Sequence, residues 1–400
     1  MRHTFRKSRA IGSVQAPPSK SYAHRLLIAA ALSGGRVENL APSEDILATI
    51  DCLSALGFGS GYDGKCAEFS RCKDMLPDGR IVLPCRESGS TMRFIIPLAL
   101  ALAGDGTEFL ITGSERLLER GIAPYVKTLS KVSFRYAAEG IIVSGHLEPG
   151  DFILDASTSS QYLTGLMMAL PLCAQDSRIL LENEPVSRGY LAITEDVLCQ
   201  AGIHLKWQNE RQLLIPGGQR YSFSSTVRVE GDWTNAAYLD IYNFIEGNRV
   251  DLSGLRNNSA QGDRVCRELM SQLVNEGQVD ISENIDLGPV LFTLAALKGN
   301  GCVKGTRRLA IKESDRVRDM ISELEAFGVE ARVSENEVEI SAPAPHAPSR
   351  TLYGHNDHRL VMALVPLLTV FSGSIDGAEA VSKSFPDYFE VLTKLGIEYD

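Results

Sequence analysis

The sequence predicts an α/β fold built from six copies of one helix–strand unit. Six apolar segments each open with small or polar residues and are long enough to form a helix. Each is followed by a short turn and a strand-like run that ends in Asn or Gly. Between 18 and 23 residues further on comes a second landmark, which is Gly in five of the six copies and is typical of a helix C-cap. Each repeat is therefore expected to contain a helix, a strand, a second helix and a strand pair.

The elements of the repeats follow in a constant order. The first helices are expected at 21–32, 90–103, 159–174, 233–245, 287–297 and 357–371. The strand-ending residues are Asn39, Gly113, Asn183, Gly254, Gly305 and Gly377, and the later landmarks are Gly57, Ser133, Gly202, Gly277, Gly328 and Gly396. Strand pairs are expected after most landmarks, for example at 203–206 with 212–215 and at 329–333 with 337–341.

The repeats are expected to form two domains of three. Repeats one to three end near Val227, and 229–232 is the predicted crossing between the halves. A second crossing is expected at the prolines of 16–18, which favour an extended chain. The expected domains are therefore 15–228, and 229–400 together with 1–14.

Composition excludes several classes of protein. The 400 residues are 44% hydrophobic and 22% charged, enough for full cores, and the net charge of -10 argues against a general nucleic-acid binder. The longest apolar segments, 94–103 and 360–371, are too short to span a membrane. No apolar stretch follows the basic N-terminus, so no signal peptide is expected. Eight scattered cysteines without a Cys-x-x-Cys pair predict buried thiols in a reducing cytoplasm and no zinc site.

Cations occupy the N-terminal edges of the first helices. Lys20, Arg25, Arg93 and Arg359 are expected in first turns, where a positive charge opposes the helix dipole. N-capping explains the Ser, Asp and Asn residues at these edges but not the cations. A bound anion would remove the conflict, since helix N-termini already favour one. The pattern therefore indicates small molecules that carry phosphate and carboxylate.

Further charged residues lie just before, or at the start of, the second helices. These segments are 115–121, 186–190, 311–316 and 382–388. For 312–316 taken alone, an exposed helix start with solvated or locally paired charges is the simpler interpretation.

Six motifs in order resemble one family of enzymes. They are PSKS at 18–21 followed by Arg25, ESGSTMR at 87–93, SSQ at 159–161, KESDR at 312–316, NDHR at 356–359 and SKSFPDY at 382–388. Together they resemble the 5-enolpyruvylshikimate-3-phosphate synthases (3-phosphoshikimate 1-carboxyvinyltransferases), which are enolpyruvyl transferases. The resemblance covers nearly the whole chain. It implies two pseudo-threefold domains, each of three repeated helix–strand units in an inside-out α/β barrel, joined by two crossings.

The resemblance also implies a reaction. A transferase of the shikimate pathway, in aromatic amino acid biosynthesis, would move the enolpyruvyl group of phosphoenolpyruvate to the 5-hydroxyl of shikimate 3-phosphate and release phosphate. The expected partners are these small molecules, with no nucleic acid and no membrane. No metal or organic cofactor is implied. The family is usually monomeric, and a cytoplasmic monomer is expected.

Residues for the acceptor substrate follow from the matched motifs. Ser21 and Arg25 would bind the shikimate part, with Arg25 on its carboxylate. The first domain would form this side of the site. Lys20 would touch both substrates, and Gln161 would also be able to reach phosphoenolpyruvate. The residues implied for the 3-phosphate and the ring are Ser159, Ser160, Gln161, Ser187 and Lys312.

Residues for phosphoenolpyruvate and for proton transfer follow in the same way. Gly89 would let the backbone approach phosphoenolpyruvate closely. Four cations would surround phosphoenolpyruvate and bind its anionic groups, and we call them the phosphoenolpyruvate clamp: Arg120, Arg316, Arg359 and Lys383. Asp286 would be the base at the 5-hydroxyl and Glu313 the acid at the methylene, and Lys20 would share one of these protons.

The sequence departs from the commonest family pattern at several positions. Glu87 stands where Asn is common, Phe94 and Gly121 where Pro is frequent, and Arg308 where Asn often contacts the sugar phosphate. No substrate contact is therefore assigned to Arg308. These changes leave the implied reaction standing and bear on the fine geometry around phosphoenolpyruvate.

Three other functions remain as alternatives. A sister enolpyruvyl transferase acts on a UDP-amino sugar through a loop cysteine, but 113–121 contains none. An RNA-end cyclase would need an adenylated histidine and a basic face, which the acidic net charge opposes. A non-catalytic anion-binding relative would not need the carboxylates Asp286 and Glu313 beside cations.

Overall fold

The computed structural model describes residues 1–70, 76–157, 159–223 and 226–400. The chain divides into two compact units. We call Lys20–Val229 the first lobe, and Met1–Ser19 together with Glu230–Asp400 the second lobe. Cys72, one of the eight cysteines, is outside the described residues.

Most repeats contain a first helix before a strand and a second helix after it. In chain order, the helices in the described residues are α1 (Lys20–Ser33), α2 (Glu44–Ala55), α3 (Gly89–Leu102), α4 (Glu115–Arg120), α5 (Ala123–Thr128), α6 (Gln161–Ala169), α7 (Arg188–Gln200), α8 (Trp233–Asp240), α9 (Cys266–Glu276), α10 (Gly288–Lys298), α11 (Arg316–Glu325), α12 (His358–Phe371) and α13 (Tyr388–Lys394). Short 3₁₀ turns adjoin several of them, at Leu170–Leu172, Ile241–Phe244, Gly262–Val265, Ile285–Leu287, Arg307–Ile311 and Ala378–Lys383.

Side-chain caps explain where many helices begin. Ser and Asp residues accept a backbone N–H of the first turn and satisfy a group that has no partner within the helix. Such caps are Ser43, Ser88, Ser114, Asp232, Asp315 and Asp357.

Short strands alternate with the helices. In the described residues they are β1 (Arg2–Phe5), β2 (Ile11–Gln15), β3 (Gly35–Glu38), β4 (Gly59–Tyr62), β5 (Cys66–Ser70), β6 (Gly79–Pro84), β7 (Thr107–Thr112), β8 (Ser133–Ala137), β9 (Gly140–Ser144), β10 (Asp151–Leu154), β11 (Ser177–Leu181), β12 (Lys206–Asn209), β13 (Gln212–Ile215), β14 (Thr226–Arg228), β15 (Arg249–Ser253), β16 (Gln278–Asp280), β17 (Asn300–Lys304), β18 (Glu330–Val333), β19 (Glu337–Ser341), β20 (Leu352–Tyr353) and β21 (Gly373–Asp376).

Four sheets share one topology, which demonstrates the internal repeat. A central strand pairs parallel with one neighbour and antiparallel with another, and a fourth strand closes a hairpin. These sheets are β14-β3-β5-β4, β6-β7-β9-β8, β10-β11-β13-β12 and β16-β17-β19-β18. The predicted α/β class with repeated helix–strand units is thereby confirmed.

The N-terminal strands complete two smaller sheets of the second lobe. β2 pairs parallel with β15, and β1 pairs antiparallel with β21, which also pairs with β20. Residues Met1–Ser19 therefore belong to the second lobe although they precede the first lobe in sequence.

The first helix of each repeat is buried in the core of its lobe. α3 packs against α6, and α10 packs against α12. Such helices are apolar on nearly all sides, as expected for helices that are surrounded by protein. Gly165 permits the close contact of α3 and α6, since a Cβ there would lie 2.3 Å from the carbonyl oxygen of Arg93 and from the Tyr125 hydroxyl.

Several expected elements differ in extent. The helix expected at 159–174 is shorter, because Pro171 lacks a backbone N–H and the chain continues as the turn Leu170–Leu172. The helix expected at 233–245 ends at Asp240 and is followed by another 3₁₀ turn. The strand expected at 203–206 is instead Lys206–Asn209.

The second helix of repeat two and two cation positions also differ. Gly121, with φ of 63°, separates α4 from α5 where one helix was expected.

Arg25 is the sixth residue of α1 and Arg93 the fifth of α3, so both lie in second turns and not in first turns. Lys20 and Arg359 do lie in first turns.

The cysteines and helix lengths bear on two further expectations. The cysteines of the described residues are free, but Cys199 is exposed, so the expectation of buried thiols is wrong there. Among the described residues, every helix is too short or too polar to cross a membrane.

Candidate active site

Arg25 is buried in the first lobe among uncharged groups. Its side chain donates to the hydroxyl of Thr194 at 2.8 Å and to the carbonyl oxygens of Ser21 and Tyr190 at 2.7 and 3.1 Å. The guanidinium also lies 4.9 Å from the ring centre of Phe94. Burial lowers the pKa of Arg25 to about 10. An anion would compensate a charge that these neutral partners only solvate.

A second group of first-lobe residues surrounds the start of α3. Arg93 Nη1 donates to Gln161 Oε1 at 2.5 Å, and Gln161 Nε2 donates to the Ser90 hydroxyl at 2.9 Å. A Cβ on Gly89 would lie 2.9 Å from Arg93 and 3.3 Å from the guanidinium nitrogens of Arg120. Two cations therefore converge on a residue that lacks a side chain, and any larger residue would occupy the space beside them.

Lys20 opens α1 and is held by Asp45. Its Nζ donates to Asp45 Oδ2 at 2.7 Å, and both side chains are largely buried. The Asp45 carbonyl oxygen accepts from the Thr91 hydroxyl, and the Thr91 backbone N–H donates to Ser88, the cap of α3. Hydroxyl groups thus connect Lys20 with the segment that carries Gly89.

The serines predicted for the 3-phosphate lie at two helix starts of this lobe, and Ser21 is the second residue of α1. Ser160 is buried directly before α6, and the Ser159 hydroxyl accepts from the backbone N–H of Gln161 at 3.3 Å. Ser187, buried before α7, adopts the left-handed region with φ of 55°. A non-glycine residue held in that region indicates a local constraint and is frequent at ligand sites.

Arg316 is the centre of the second-lobe cluster. This residue is completely buried, and among the described residues it binds three carboxylates. It donates to Asp286 and Glu313 at 2.7 Å and to Asp357 at 2.8 Å. Burial lowers the pKa of Arg316, but the carboxylates outweigh burial and leave the pKa raised. The guanidinium thus contacts both predicted proton-transfer residues.

Further cations adjoin Asp286. Its Oδ1 lies 3.5 Å from Lys312 Nζ and 3.4 Å from Arg359 Nε. Burial lowers the pKa of Lys312, with the charge of Asp286 opposing the shift. The Tyr238 hydroxyl holds the Asp286 carbonyl oxygen at 3.0 Å. The carboxylate of Asp286 is thus fixed both through its side chain and through its backbone.

Lys383 joins the cluster through the backbone. Its Nζ donates to the Asn356 carbonyl oxygen at 2.6 Å, and Asp357 accepts from the Arg359 N–H at 2.9 Å. The short segment before α12 therefore connects Lys383, Asp357 and Arg359.

Asp263 is a buried carboxylate that the sequence did not single out. It accepts from the Thr234 hydroxyl at 2.6 Å and from Asn284 Nδ2 at 3.0 Å. Burial, together with the charge of Asp286, raises the pKa of Asp263 to about 6. Asn284 directly precedes the turn Ile285–Leu287, so Asp263 supports the segment that carries Asp286.

The residues named from sequence thus fall into two groups. The first lobe carries Lys20, Ser21, Arg25, Gly89, Arg120, Ser159, Ser160, Gln161 and Ser187. The second lobe carries Asp286, Lys312, Glu313, Arg316, Arg359 and Lys383.

Other residues that contact these two groups were not predicted to bind substrate or to move a proton. Arg93 was predicted only as a cation near a helix start, and Asp357 lies within the NDHR motif at 356–359. No local signal distinguishes Asp263, or Thr194 and Thr164, which accept from Arg25 at 2.8 and 3.5 Å.

Comparison with solved structures identifies the fold. An EPSP synthase from Acinetobacter baumannii matches all of this chain and 99% of its own, with a TM-score of 0.80 at 19% identity. The enolpyruvyl transferase NikO from Streptomyces tendae matches all of this chain and 98% of its own, with a TM-score of 0.75 at 15% identity. The fold is therefore that of the enolpyruvyl transferases, with two pseudo-threefold domains in the inside-out α/β arrangement expected from sequence.

Sequence comparison identifies the family within that fold. Residues 6–392 match the family described as EPSP synthase (3-phosphoshikimate 1-carboxyvinyltransferase). A 3-phosphoshikimate 1-carboxyvinyltransferase from Clostridium kluyveri is 33% identical over 97% of this chain and 96% of its own. One from Methanoculleus marisnigri is 33% identical over 96% of each chain. The chain belongs to the EPSP synthase family, and it is a transferase enzyme.

Proposed function

We propose that this chain transfers the enolpyruvyl group of phosphoenolpyruvate to the 5-hydroxyl of shikimate 3-phosphate, in aromatic amino acid biosynthesis. The observation that carries the proposal is the binding of Asp286 and Glu313 to one buried guanidinium, that of Arg316. The reaction moves one proton from an oxygen and one to a carbon. Two fixed carboxylates can serve those transfers.

The first-lobe residues supply binding groups for shikimate 3-phosphate. Arg25, whose described partners are uncharged, would bind the carboxylate of the substrate. Ser159, Ser160 and Ser187 would donate to the 3-phosphate, and Gln161 would contact the ring. Lys312, from the second lobe, is proposed as a further phosphate contact.

The cations around Gly89 and Arg316 supply binding groups for phosphoenolpyruvate. Arg120, Arg316 and Arg359 have planar guanidinium groups that suit carboxylate and phosphate oxygens. Lys383 would add a fourth positive charge. Gly89 leaves room for the ligand beside Arg120, because it has no side chain.

The proposed reaction has two stages. First the 5-hydroxyl oxygen attacks C2 of phosphoenolpyruvate, Asp286 takes the hydroxyl proton, and Glu313 gives a proton to C3, which becomes a methyl group. In the second stage a base takes one methyl proton, the C2–C3 double bond forms again, and the C2–O bond to phosphate breaks. Lys20 would share one of these protons. The products are 5-enolpyruvylshikimate 3-phosphate and phosphate.

We also propose that the enzyme acts as a cytoplasmic monomer whose domains are 15–228 and 229–400 with 1–14. Light scattering of the purified chain tests the monomer, for which it should give a mass near 43.6 kDa.

Phosphate release tests the reaction directly. Purified enzyme is mixed with phosphoenolpyruvate alone, with shikimate 3-phosphate alone, and with both. Release is expected only with both, and Asp286→Asn and Glu313→Gln should each slow it by about 10²–10⁴-fold while leaving shikimate 3-phosphate binding intact. Release with a UDP-amino sugar in place of shikimate 3-phosphate would instead identify the sister activity. Binding without any release would identify an anion-binding relative and contradict the proposal.

A further inference from the structure

Glu323 is a buried carboxylate on the same helix as Arg316 but outside the cluster described above. Its side chain is 2% exposed. It accepts from Arg350 Nη1 at 2.6 Å, from the Tyr353 N–H at 3.1 Å and from His355 Nε2 at 2.8 Å. His355 must be the donor in the last bond, since an ionised carboxylate only accepts. Every one of these donors lies in the segment that leads to α12.

The segment held by Glu323 contains two consecutive residues in the left-handed region. His355 has φ of 48° and Asn356 has φ of 51°. Neither is glycine, so the turn is strained and persists only where surrounding contacts hold it. The bond from His355 to Glu323 is such a contact, and the His355 ring also packs edge-on against that of Tyr353, with centroids 5.0 Å apart.

The same turn determines where several site groups lie. The Asn356 carbonyl oxygen accepts from Lys383, and the next residue, Asp357, binds Arg316 through its carboxylate. Asp357 also caps α12 and accepts from the Arg359 N–H. A change in φ at His355 or Asn356 would therefore move groups that contact three cations of the second-lobe cluster.

We propose that Glu323 is a positioning residue for the proposed phosphoenolpyruvate clamp. It connects the helix that begins at Arg316 to the left-handed turn before Asp357, and so fixes Arg359 and Lys383 relative to Arg316. The kinetic part of the inference rests on the function proposed above.

The electrostatics of the cluster agree with this role. Burial raises the pKa of Glu323, but the hydrogen bonds from His355, Arg350 and the Tyr353 amide outweigh burial and leave the pKa lowered. The carboxylate is therefore an ionised acceptor. Two further charged groups face this cluster, since Asp319 lies 3.8 Å from His355 Nδ1 and pairs with Arg318.

The test uses two variants of the full chain and a matched control. Glu323→Gln keeps the side-chain shape but offers one accepting oxygen to donors that now use two. His355→Gly removes the contact while allowing the left-handed turn without strain. Glu339→Gln is the control, because Glu339 is an exposed acid of the same lobe whose described ion pair is a weak one with Arg332, at 3.5 Å.

Kinetics should separate positioning from a merely structural role. Glu323→Gln is expected to raise the KM for phosphoenolpyruvate about tenfold or more, because small displacements of binding groups are costly. The KM for shikimate 3-phosphate should stay within about twofold, and Glu339→Gln should change neither. The double variant Glu323→Gln/His355→Gly should be at most about twofold worse than the worse single variant, since His355 transmits the effect.

Amide hydrogen exchange gives a readout that does not depend on activity. Glu323→Gln should speed exchange about tenfold or more within 353–359 and leave α10 unchanged. Unchanged exchange in 353–359, or a lower kcat with both KM values unchanged, would overturn the positioning role. If the wild-type chain fails to turn over the two substrates, the proposed function fails, and hydrogen exchange alone then decides whether Glu323 holds the turn.

Discussion

Arg25 in the first lobe and Arg316 in the second are both deeply buried, but their surroundings are opposite. The described partners of Arg25 are hydroxyls, carbonyl oxygens and an aromatic ring. Arg316 instead binds the carboxylates of Asp286, Glu313 and Asp357. The same residue type therefore has different surroundings: the described partners of Arg25 are neutral, whereas Arg316 is paired with acids. The proposed roles of substrate binding and proton transfer thus fall on different parts of one repeated architecture.

Removing the cation from the carboxylate cluster should have the largest effect. Arg316→Met leaves the buried carboxylates of Asp286 and Asp357, and the partly exposed carboxylate of Glu313, without their shared cation. The free energy of unfolding should fall by about 3–5 kcal/mol, since breaking a buried ion pair leaves uncompensated charge. Denaturant unfolding measures this change. A loss below about 1 kcal/mol would mean that the carboxylates do not depend on Arg316.

The equivalent change in the first lobe should affect binding and not stability. Arg25→Met replaces a cation whose neutral partners can rearrange or hydrate, so the free energy of unfolding should change by less than about 1 kcal/mol. The KM for shikimate 3-phosphate should rise about 10–100-fold, the value of one charged bidentate contact. A large loss of stability with an unchanged KM would remove the contrast between the two arginines.

Asp263 offers a pH-dependent test of the second lobe. The pKa of Asp263 is about 6 in the folded chain, which exceeds the usual 3.8. Protonation of Asp263 therefore stabilises the folded state relative to the unfolded state. That contribution is complete below pH 3.8 and is lost as the pH rises through about 6. Asp263→Asn should therefore be more stable than the wild type by about 3 kcal/mol at pH 8, and the difference should vanish near pH 4.

Unfolding curves of Asp263→Asn and wild type at several pH values measure this difference. Asp105→Asn, which changes an exposed aspartate of the first lobe, is the matched control and should show no such pH dependence. Equal stability of Asp263→Asn and wild type at pH 8 would contradict a raised pKa for the buried Asp263 carboxyl group.

A small change beside Arg93 and Arg120 should have the smallest effect. Gly89→Ala adds a Cβ 2.9 Å from Arg93 and 3.3 Å from Arg120, whose flexible ends can shift. The KM for phosphoenolpyruvate should rise a few-fold, or about 1 kcal/mol of binding, with little change in stability. Steady-state kinetics check this, and an unchanged KM would place the ligand away from Gly89.

The sequence predicted the repeats well because they depend on local signals. Apolar helices, capping residues and glycines such as Gly277, the left-handed C-cap of α9, can be read within one repeat. The 3₁₀ turn at Ile285–Leu287 could not be located, because tertiary packing decides how far such helices extend. The turn at Leu170–Leu172 had a local signal in Pro171 that the prediction of one helix over 159–174 did not use.

The candidate site was predictable where charge stood out and not elsewhere. Arg316 and Glu313 lie within one quoted motif, so their spacing on a helix start was visible. Thr194 and Asn284 could not be found, because each is an uncharged side chain whose partner, Arg25 or Asp263, lies in another segment of the sequence. Glu323 resembles an ordinary helical glutamate until the fold brings His355 and Arg350 to it.

The most direct test compares binding and turnover in Asp286→Asn. If the first lobe binds the acceptor and Asp286 handles its proton, the Kd for shikimate 3-phosphate by calorimetry should stay within about twofold of the wild type. Phosphate release in a single turnover should then slow by about 10²–10⁴-fold. Turnover near the wild-type rate, with acceptor binding lost instead, would contradict the division of roles between the two clusters.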